Sequence, residues 1–278
     1  MQFYVVYFSP AGTTGHAARI IREELALLGA QFSLVNLNDA ANSFAGGSLP
    51  GALQDSCLFI GSPVYAGHAV PAVMDFIAGL PKGIHCCSVP FVTWGAVTSG
   101  VALYEMARAL EEKGYPVRAA IKIVAEHSLL WQSENPLGKG RPAAADDDKV
   151  RTLVKHVVGA LAAGQSACLS VSALNYQSEA LQKIFAGLSI NAARKVLPQL
   201  TVQPELCTRC GVCVAACPVG AVELADKPVF NERCIACYNC LRACPEQALQ
   251  ADFSRMQAGL EQRQKDFGEI CETAVYLP

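Results

Sequence analysis

In the N-terminal half of the chain, short runs that are apolar at nearly every position alternate with longer stretches that are apolar on one helical face. The short runs, residues 2–8, 31–37, 56–61, 86–93 and 116–124, are expected as strands. The longer stretches, 16–29, 70–80, 100–114 and 145–163, are expected as helices. Strands with no polar face must be covered on both sides, which is the condition of a parallel sheet wrapped in helices. Five such units predict an α/β fold with a doubly wound five-stranded parallel sheet, in which ligands sit at the carboxyl ends of the strands. The punctuation agrees: Gly29 and Gly114 are placed to stop helices, and Asp146-Asp147-Asp148 suits a helix N-terminus.

Beyond residue 164 the pattern changes. Leu174, Leu181, Ile184, Phe185 and Leu188 recur at helical spacing, which predicts a partly helical connection whose one apolar face packs between two halves, with docking of a partner as the alternative. Residues 253–270 read as a polar terminal helix. Between these lies a duplicated unit with a 27-residue offset, in which Ala215-Ala216-Cys217-Pro218-Val219-Gly220-Ala221-Val222 parallels Arg242-Ala243-Cys244-Pro245-Glu246-Gln247-Ala248-Leu249.

Cysteine spacing gives that unit its chemistry. Cys207, Cys210, Cys213 and Cys217-Pro218 form one run, and Cys234, Cys237, Cys240 and Cys244-Pro245 repeat it. This is the spacing of bacterial two-cluster ferredoxins, where three cysteines wrap one cubane and the fourth ligates the other. Zinc sites use separated Cys-x2-Cys pairs and close at four ligands, so two uninterrupted runs of four favour iron–sulfur. The expected ligand sets are Cys207, Cys210, Cys213, Cys244 and Cys234, Cys237, Cys240, Cys217. Val212, Val214, Val219, Ile235 and Leu241 are expected to supply an apolar shell, with Tyr238 packed against a cluster.

Composition bounds the rest. The 278 residues are 52% hydrophobic with a formal charge of −2, which permits a large core and argues against a nucleic-acid surface. No apolar run is long enough to cross a bilayer, and the first residues read as a buried strand rather than a signal peptide. Cys57, Cys86, Cys87, Cys168 and Cys271 lie outside the repeats without framework spacing, which fits a reducing, cytoplasmic setting. The first three sit in apolar runs, where a free cysteine acts as a small hydrophobe.

After the first strand comes Ser9-Pro10-Ala11-Gly12-Thr13-Thr14-Gly15 at the start of a helix. Backbone N–H groups and hydroxyls at a helix N-terminus make an anion site without a basic residue. The loop is neither a G-x-G-x-x-G dinucleotide fingerprint nor a Walker loop. Two more loops fall on the same sheet edge, Gly61-Ser62-Pro63-Val64-Tyr65-Ala66-Gly67 and Thr93-Trp94-Gly95-Ala96. An aromatic in each, with small neighbours, suits a flat heteroaromatic ring such as a flavin.

On these motifs the first 160 or so residues resemble a flavodoxin, and the whole chain resembles the flavodoxin–ferredoxin fusion proteins of anaerobic bacteria and archaea. The resemblance rests on Phe8-Ser9-Pro10-x-Gly12-Thr13-Thr14, on Gly61-Ser62-Pro63-Val64-Tyr65, on Ala125-Glu126-His127-Ser128 and on Gly138-Lys139-Gly140-Arg141-Pro142. It implies a flavodoxin-like domain binding FMN through Ser9, Ala11, Gly12, Thr13, Thr14, Pro63, Val64, Tyr65, Ala66, Thr93, Trp94 and Gly95. Ala11 stands where flavodoxins typically carry Thr, so that contact to phosphate reduces to the backbone N–H. Tyr65 takes the ring-stacking position, Thr93 to Gly95 line the pyrimidine edge, and Trp94 is the candidate for the opposite face.

His16, Glu126 and His127 are expected near the pocket, where a histidine can tune the flavin or carry a proton. The connection 128–144 contains Trp131 and is long enough to cover the flavin or touch the cysteine-rich half. The expected organisation is a flavodoxin-like FMN domain at 1–164, a linker at 165–203, a ferredoxin-like domain for two [4Fe-4S] clusters at 204–252, and a terminal helix and tail at 253–278. Joining one- and two-electron centres in one chain predicts an electron-transfer protein serving redox partner proteins. The alternative is a flavin-dependent reductase of a small acceptor, fed by the clusters. The lack of a nicotinamide motif or an evident acid/base pair favours the carrier.

Overall fold

The computed structural model describes residues 1–39 and 55–278. The N-terminal part runs β1 (Gln2–Tyr7), α1 (Thr13–Leu27), β2 (Phe32–Asn36), β3 (Ser56–Tyr65), β4 (His68–Ala69), α2 (Pro71–Gly79), β5 (Cys87–Trp94), α3 (Ala102–Glu112), β6 (Ala120–Val124) and α4 (Ala144–Ala162). There follow α5 (Glu179–Ala186), α6 (Ile190–Val196), β7 (Thr201–Val202), α7 (Val212–Ala215), β8 (Val222–Leu224), β9 (Pro228–Phe230), α8 (Asn239–Ala243), β10 (Leu249–Gln250), α9 (Met256–Phe267) and β11 (Ala274–Tyr276).

The parallel strands lie in the order β2-β1-β3-β5-β6, the flavodoxin-like doubly wound arrangement. Strand alternation builds two cores. One face sends Val5, Phe59 and Val89 against Ile21 and Leu25 of α1 and Val154 of α4. The other sends Val6, Ile60 and Val92 against Ile77 of α2 and Met106 of α3. Each such side chain, fully buried, contributes roughly 1.5–3 kcal/mol, so the sheet is the stable frame on which the loops rest. Cys57, Cys86 and Cys87 are buried within it.

The third strand departs from expectation. It continues through 61–65 and turns back at Ala66 and Gly67 into β4, pairing Val64 with Ala69 and Tyr65 with His68. Ala66 and Gly67 have φ of 53° and 84°, the two positive values a two-residue I′-type hairpin demands. Gly67 is also fixed by packing, since a Cβ there would stand 2.4 Å from the Phe185 ring.

A second departure is at the end of the chain. After the cysteine-rich unit, β11 returns to pair antiparallel with β6, Val275 opposite Ile121. Glu269 secures the return through an ion pair with Lys122 at 2.6 Å, both side chains under a tenth exposed. It also accepts bonds from Ser99 N (2.8 Å), Thr98 Oγ1 (2.9 Å), Gln177 Nε2 (3.1 Å) and Ser99 Oγ. Thr273 Oγ1 accepts from Val124 N at 3.1 Å, and Tyr276 stacks on Tyr176 with centroids 5.5 Å apart.

The connection to the cysteine-rich unit forms two short helices rather than one. Ser178 and Ser189 cap α5 and α6 with their hydroxyls, and Gly187 stops the first. Leu174 and Phe185 are buried at 2% and 1% exposure, while Ile184 at 48% and Leu188 at 38% are not. In the cysteine-rich unit β7 pairs with β10 and β8 with β9, while α7 and α8 lie within the two cysteine runs.

Candidate functional site

The loop after β1 is held by reciprocal bonds that sequence patterns do not reveal. Ser9 N donates to Asn38 Oδ1 and Asn38 Nδ2 to Ser9 O, both at 2.8 Å. Ser9 Oγ accepts from Gly15 N at 2.8 Å, so this hydroxyl supports the loop from within. Gly12, at φ 93°, caps α1 without a side chain, leaving the N–H groups of the first turn free of a side-chain cap. Thr14 Oγ1 bonds Thr93 Oγ1 at 2.7 Å, which locks this loop to the end of β5.

A cavity of about 520 Å³ opens at this edge of the sheet. Ala11, Thr13 and Thr14 line it from the first loop, Pro63, Val64, Tyr65 and Ala66 from the second, and Thr93, Trp94 and Gly95 from the third. Ser9 and Gly12 are not on its wall. Trp94 is 1% exposed and packs with Ala96 and Val124, so it forms floor rather than a free face for stacking. Its position on a central strand, pointing into the core, is the reason. The opposite wall comes from outside the sheet, through Val196 of α6 and Met256 and Leu260 of α9. Ile235 and Ala236, inside the second cysteine run, complete it.

Among the candidate titrating groups, Glu126 and His127 line the cavity, whereas His16 turns toward α4 and meets Asp147 at 2.7 Å. His16 follows the loop by one helical turn, which carries its side chain round to the α4 face. Burial pushes His127 down to about 4. Its Nδ1 accepts from Leu129 N at 3.3 Å, placing the proton of the neutral ring on Nε2. Gly95 admits this arrangement, because a Cβ there would stand 2.9 Å from His127 Cα.

The cavity suits a flavin on structural grounds. Its size falls in the small-molecule range, with an uncapped helix N-terminus at one end and an aromatic ring at another. Trp94 Nε1, on one of its lining residues, is buried with no hydrogen-bond partner in the protein. Buried polar atoms are normally satisfied, so this one fits a polar ligand. Burial drives the Tyr65 phenol well upward, helped by the Cys237 charge and opposed by Arg242. The second cysteine run therefore stands close behind the second loop.

The cysteines form two crossed groups. Cys207, Cys210 and Cys213 share a small cavity with Cys244. Burial raises the Cys237 thiol, and the charges of Cys217 and Cys234 raise it further. Cys217 Sγ accepts a bond from Ala221 N at 3.1 Å, the kind of N–H···S contact that tunes a cluster. Among the described residues no three His, Cys, Asp or Glu side chains gather closely enough for a single metal ion. A cubane attaches each thiolate to a different iron and needs no such gathering. Of the expected apolar shell Ile235 is buried, whereas Val212 and Val214 are exposed at 38% and 36%.

Trp131, in the 128–144 connection, packs on the cysteine-rich unit. Its ring lies 4.7 Å from Phe253 edge-on and 6.3 Å from Tyr238, with the Arg242 guanidinium 4.5 Å away. Arg242 Nη2 donates to Ser128 O at 2.5 Å. Tyr238 adopts φ 56°, a left-handed conformation that costs a non-glycine residue roughly 1–2 kcal/mol. Its ring and its 2.7 Å bond to Pro198 O hold it there.

The family of 4Fe-4S dicluster domains matches residues 199–245. No curated protein matches the chain. Among solved structures, a flavodoxin from the domain Archaea is 18% identical over 58% of this chain and 99% of its own, with a TM-score of 0.44. Oxidised flavodoxin 1 from Bacillus cereus is 14% identical over 57% and 98%, again at 0.44. Rubredoxin oxygen:oxidoreductase from Desulfovibrio gigas is 20% identical over 60% of this chain and 37% of its own, at 0.44. Strand order and the dicluster match together describe a flavodoxin-like unit joined to a 4Fe-4S dicluster domain. Among the described residues no helix is long and apolar enough to cross a membrane.

Proposed function

We propose that this chain is an electron-transfer protein that holds FMN in the sheet-edge cavity and two [4Fe-4S] clusters on its eight repeat cysteines, and relays single electrons among them and on to partner redox proteins. One observation carries the reading: Ile235 and Ala236 of the second cysteine run line the same cavity as Thr14, Tyr65 and Gly95. When bound, the groups supply one-electron chemistry at iron and two-electron chemistry at flavin.

In this reading residues 1–164 cradle the flavin, 165–203 link and cover it, 204–252 hold the clusters, and 253–278 close the assembly. The first turn of α1 holds the phosphate through backbone N–H groups, Thr13 and Thr14. Tyr65 orients the ring, and His127 offers the neutral Nε2 proton as a hydrogen-bond donor. Met256 and Leu260 exclude water from the cavity. Cys207, Cys210, Cys213 and Cys244 bind one cluster, and Cys234, Cys237, Cys240 and Cys217 the other.

A secondary reading, a reductase of an anionic small molecule, is favoured by Arg255 and Arg263 of the α9 region, which also reach the cavity. The deciding experiment is anaerobic purification with iron, sulfide and flavin assays and an EPR spectrum, followed by turnover on small acceptors with and without carrier proteins. Eight iron, eight sulfide and one flavin per chain are expected from two cubanes and one FMN. Stoichiometric zinc without sulfide or flavin would end the proposal, and turnover without a carrier would favour the reductase.

A further inference from the structure

The two cysteine runs are copies with a 27-residue offset, yet their spacer positions have become opposites. Thr208 and Arg209 of the first run are exposed, as is Cys210. Their counterparts Ile235, Ala236 and Cys237 are buried, at 6%, 8% and 8%. The backbone is shared: Arg209 and Ala236 have φ of 59° and 52°, and Gly211 and Tyr238 have 76° and 56°. Where the first copy uses a glycine suited to that conformation, the second forces a tyrosine into it and buries the ring against Phe253, 4.9 Å away. The second copy thus faces inward, against the cavity and Tyr65, while the first faces solvent. Residues of α6 and α9 line the cavity on the side away from the sheet.

Resting on the function proposed above, we infer that the three centres are wired in series. The cluster on Cys207, Cys210, Cys213 and Cys244 is the outer terminal, the cluster on Cys234, Cys237, Cys240 and Cys217 is the inner station, and the flavin exchanges electrons through the inner station alone. A reduced one-electron carrier protein loses one electron to the outer cluster, which passes it inward and returns to its starting state. Two such passages, with one proton from solvent, reduce the flavin by two electrons, and oxidation runs the same series backward.

The test is anaerobic stopped flow of the full-length holoprotein against a reduced bacterial ferredoxin, following cluster and flavin absorbance, with Cys210→Ser and Cys234→Ser alongside and EPR to count the remaining cluster. Cluster bleaching should precede flavin bleaching in the wild type. Each variant, retaining flavin and the other cluster, should reduce its flavin at least about tenfold more slowly. Wild-type rates in both variants would show the flavin taking electrons directly and overturn the inference. A wild-type rate in Cys210→Ser alone would show entry at the inner cluster and overturn the order. Where a variant fails to fold or loses flavin, the wild-type sequence decides: flavin bleaching with or ahead of the clusters overturns it. A wild type lacking flavin or sulfide defeats the functional reading itself, a result separate from these.

Discussion

Glu269 gathers Lys122, Ser99, Thr98 and Gln177 around one buried carboxylate, and its removal should release the end of the chain from the sheet. Burial pushes this carboxyl upward, but the Lys122 charge and the hydrogen bonds outweigh it and hold the group below its usual value. Its stabilising share is therefore present above the ordinary carboxylate pKa and is lost as acid protonates it, so the comparison belongs at neutral pH. Glu269→Ala leaves Lys122, at 9% exposure, charged and unpaired, and removing one member of a buried pair costs about 3–5 kcal/mol. The loss should read as a lower urea midpoint and as faster amide exchange at Ile121 and Val275, the register partners of β6 and β11. Joint replacement by Lys122→Met and Glu269→Leu should recover part of it, because no uncompensated charge remains. A cost under about 1 kcal/mol for Glu269→Ala, with Val275 still protected, would refute the claim that this pair fastens the return strand.

Three further outcomes are expected. His127, held down to about 4 against an ordinary 6.5, resists protonation only while folded, so stability should fall by about 3 kcal/mol between pH 6.5 and 4. His127→Gln should flatten that slope in urea titrations, and parallel pH profiles in the two proteins would count against it. Gly95→Ala brings a methyl against the His127 backbone at 2.9 Å and should cost about 1–3 kcal/mol, with weaker flavin binding by fluorescence titration; an unchanged Kd would show that the loop yields freely. Trp131→Ala removes contacts to Phe253, Tyr238 and Arg242 and should loosen the 128–144 connection by about 2 kcal/mol, seen as faster tryptic cleavage after Lys139. Cleavage at the wild-type rate would place the anchoring elsewhere.

The parallel sheet was legible because most of its strand positions are apolar and its helices carry one apolar face. Those are consequences of burial that local sequence records, and the ends differ by only a few residues. The hairpin at Ala66-Gly67 was not, since alanine gives no sign of a left-handed turn. β11 was also hidden: Ala274–Tyr276 is too short for periodicity, and its reason for pairing lies in the bonds of the nearby Glu269 and Thr273 to Lys122 and Val124, which are distant along the chain. At the site, the loops could be read from Gly, Ser, Thr and aromatic residues at strand ends. The outer wall could not, because Val196, Met256 and Leu260 look like ordinary helix residues until the cavity brings them together. Trp94 illustrates the converse: an aromatic at a strand end can signal a ligand or a core, and only its neighbours distinguish them.

The pairing of β11 with β6 gives the dicluster unit two moorings on one platform, one through the segment leaving α4 and one through the segment returning to β11. A module on a single tether samples a cloud of positions, and its encounters with a neighbour depend on tether length. Moored twice, this unit has no arc to swing through, so the separation between its centres and the cavity is set by the architecture rather than by chance collision. A protease nick in either mooring would leave the other still holding.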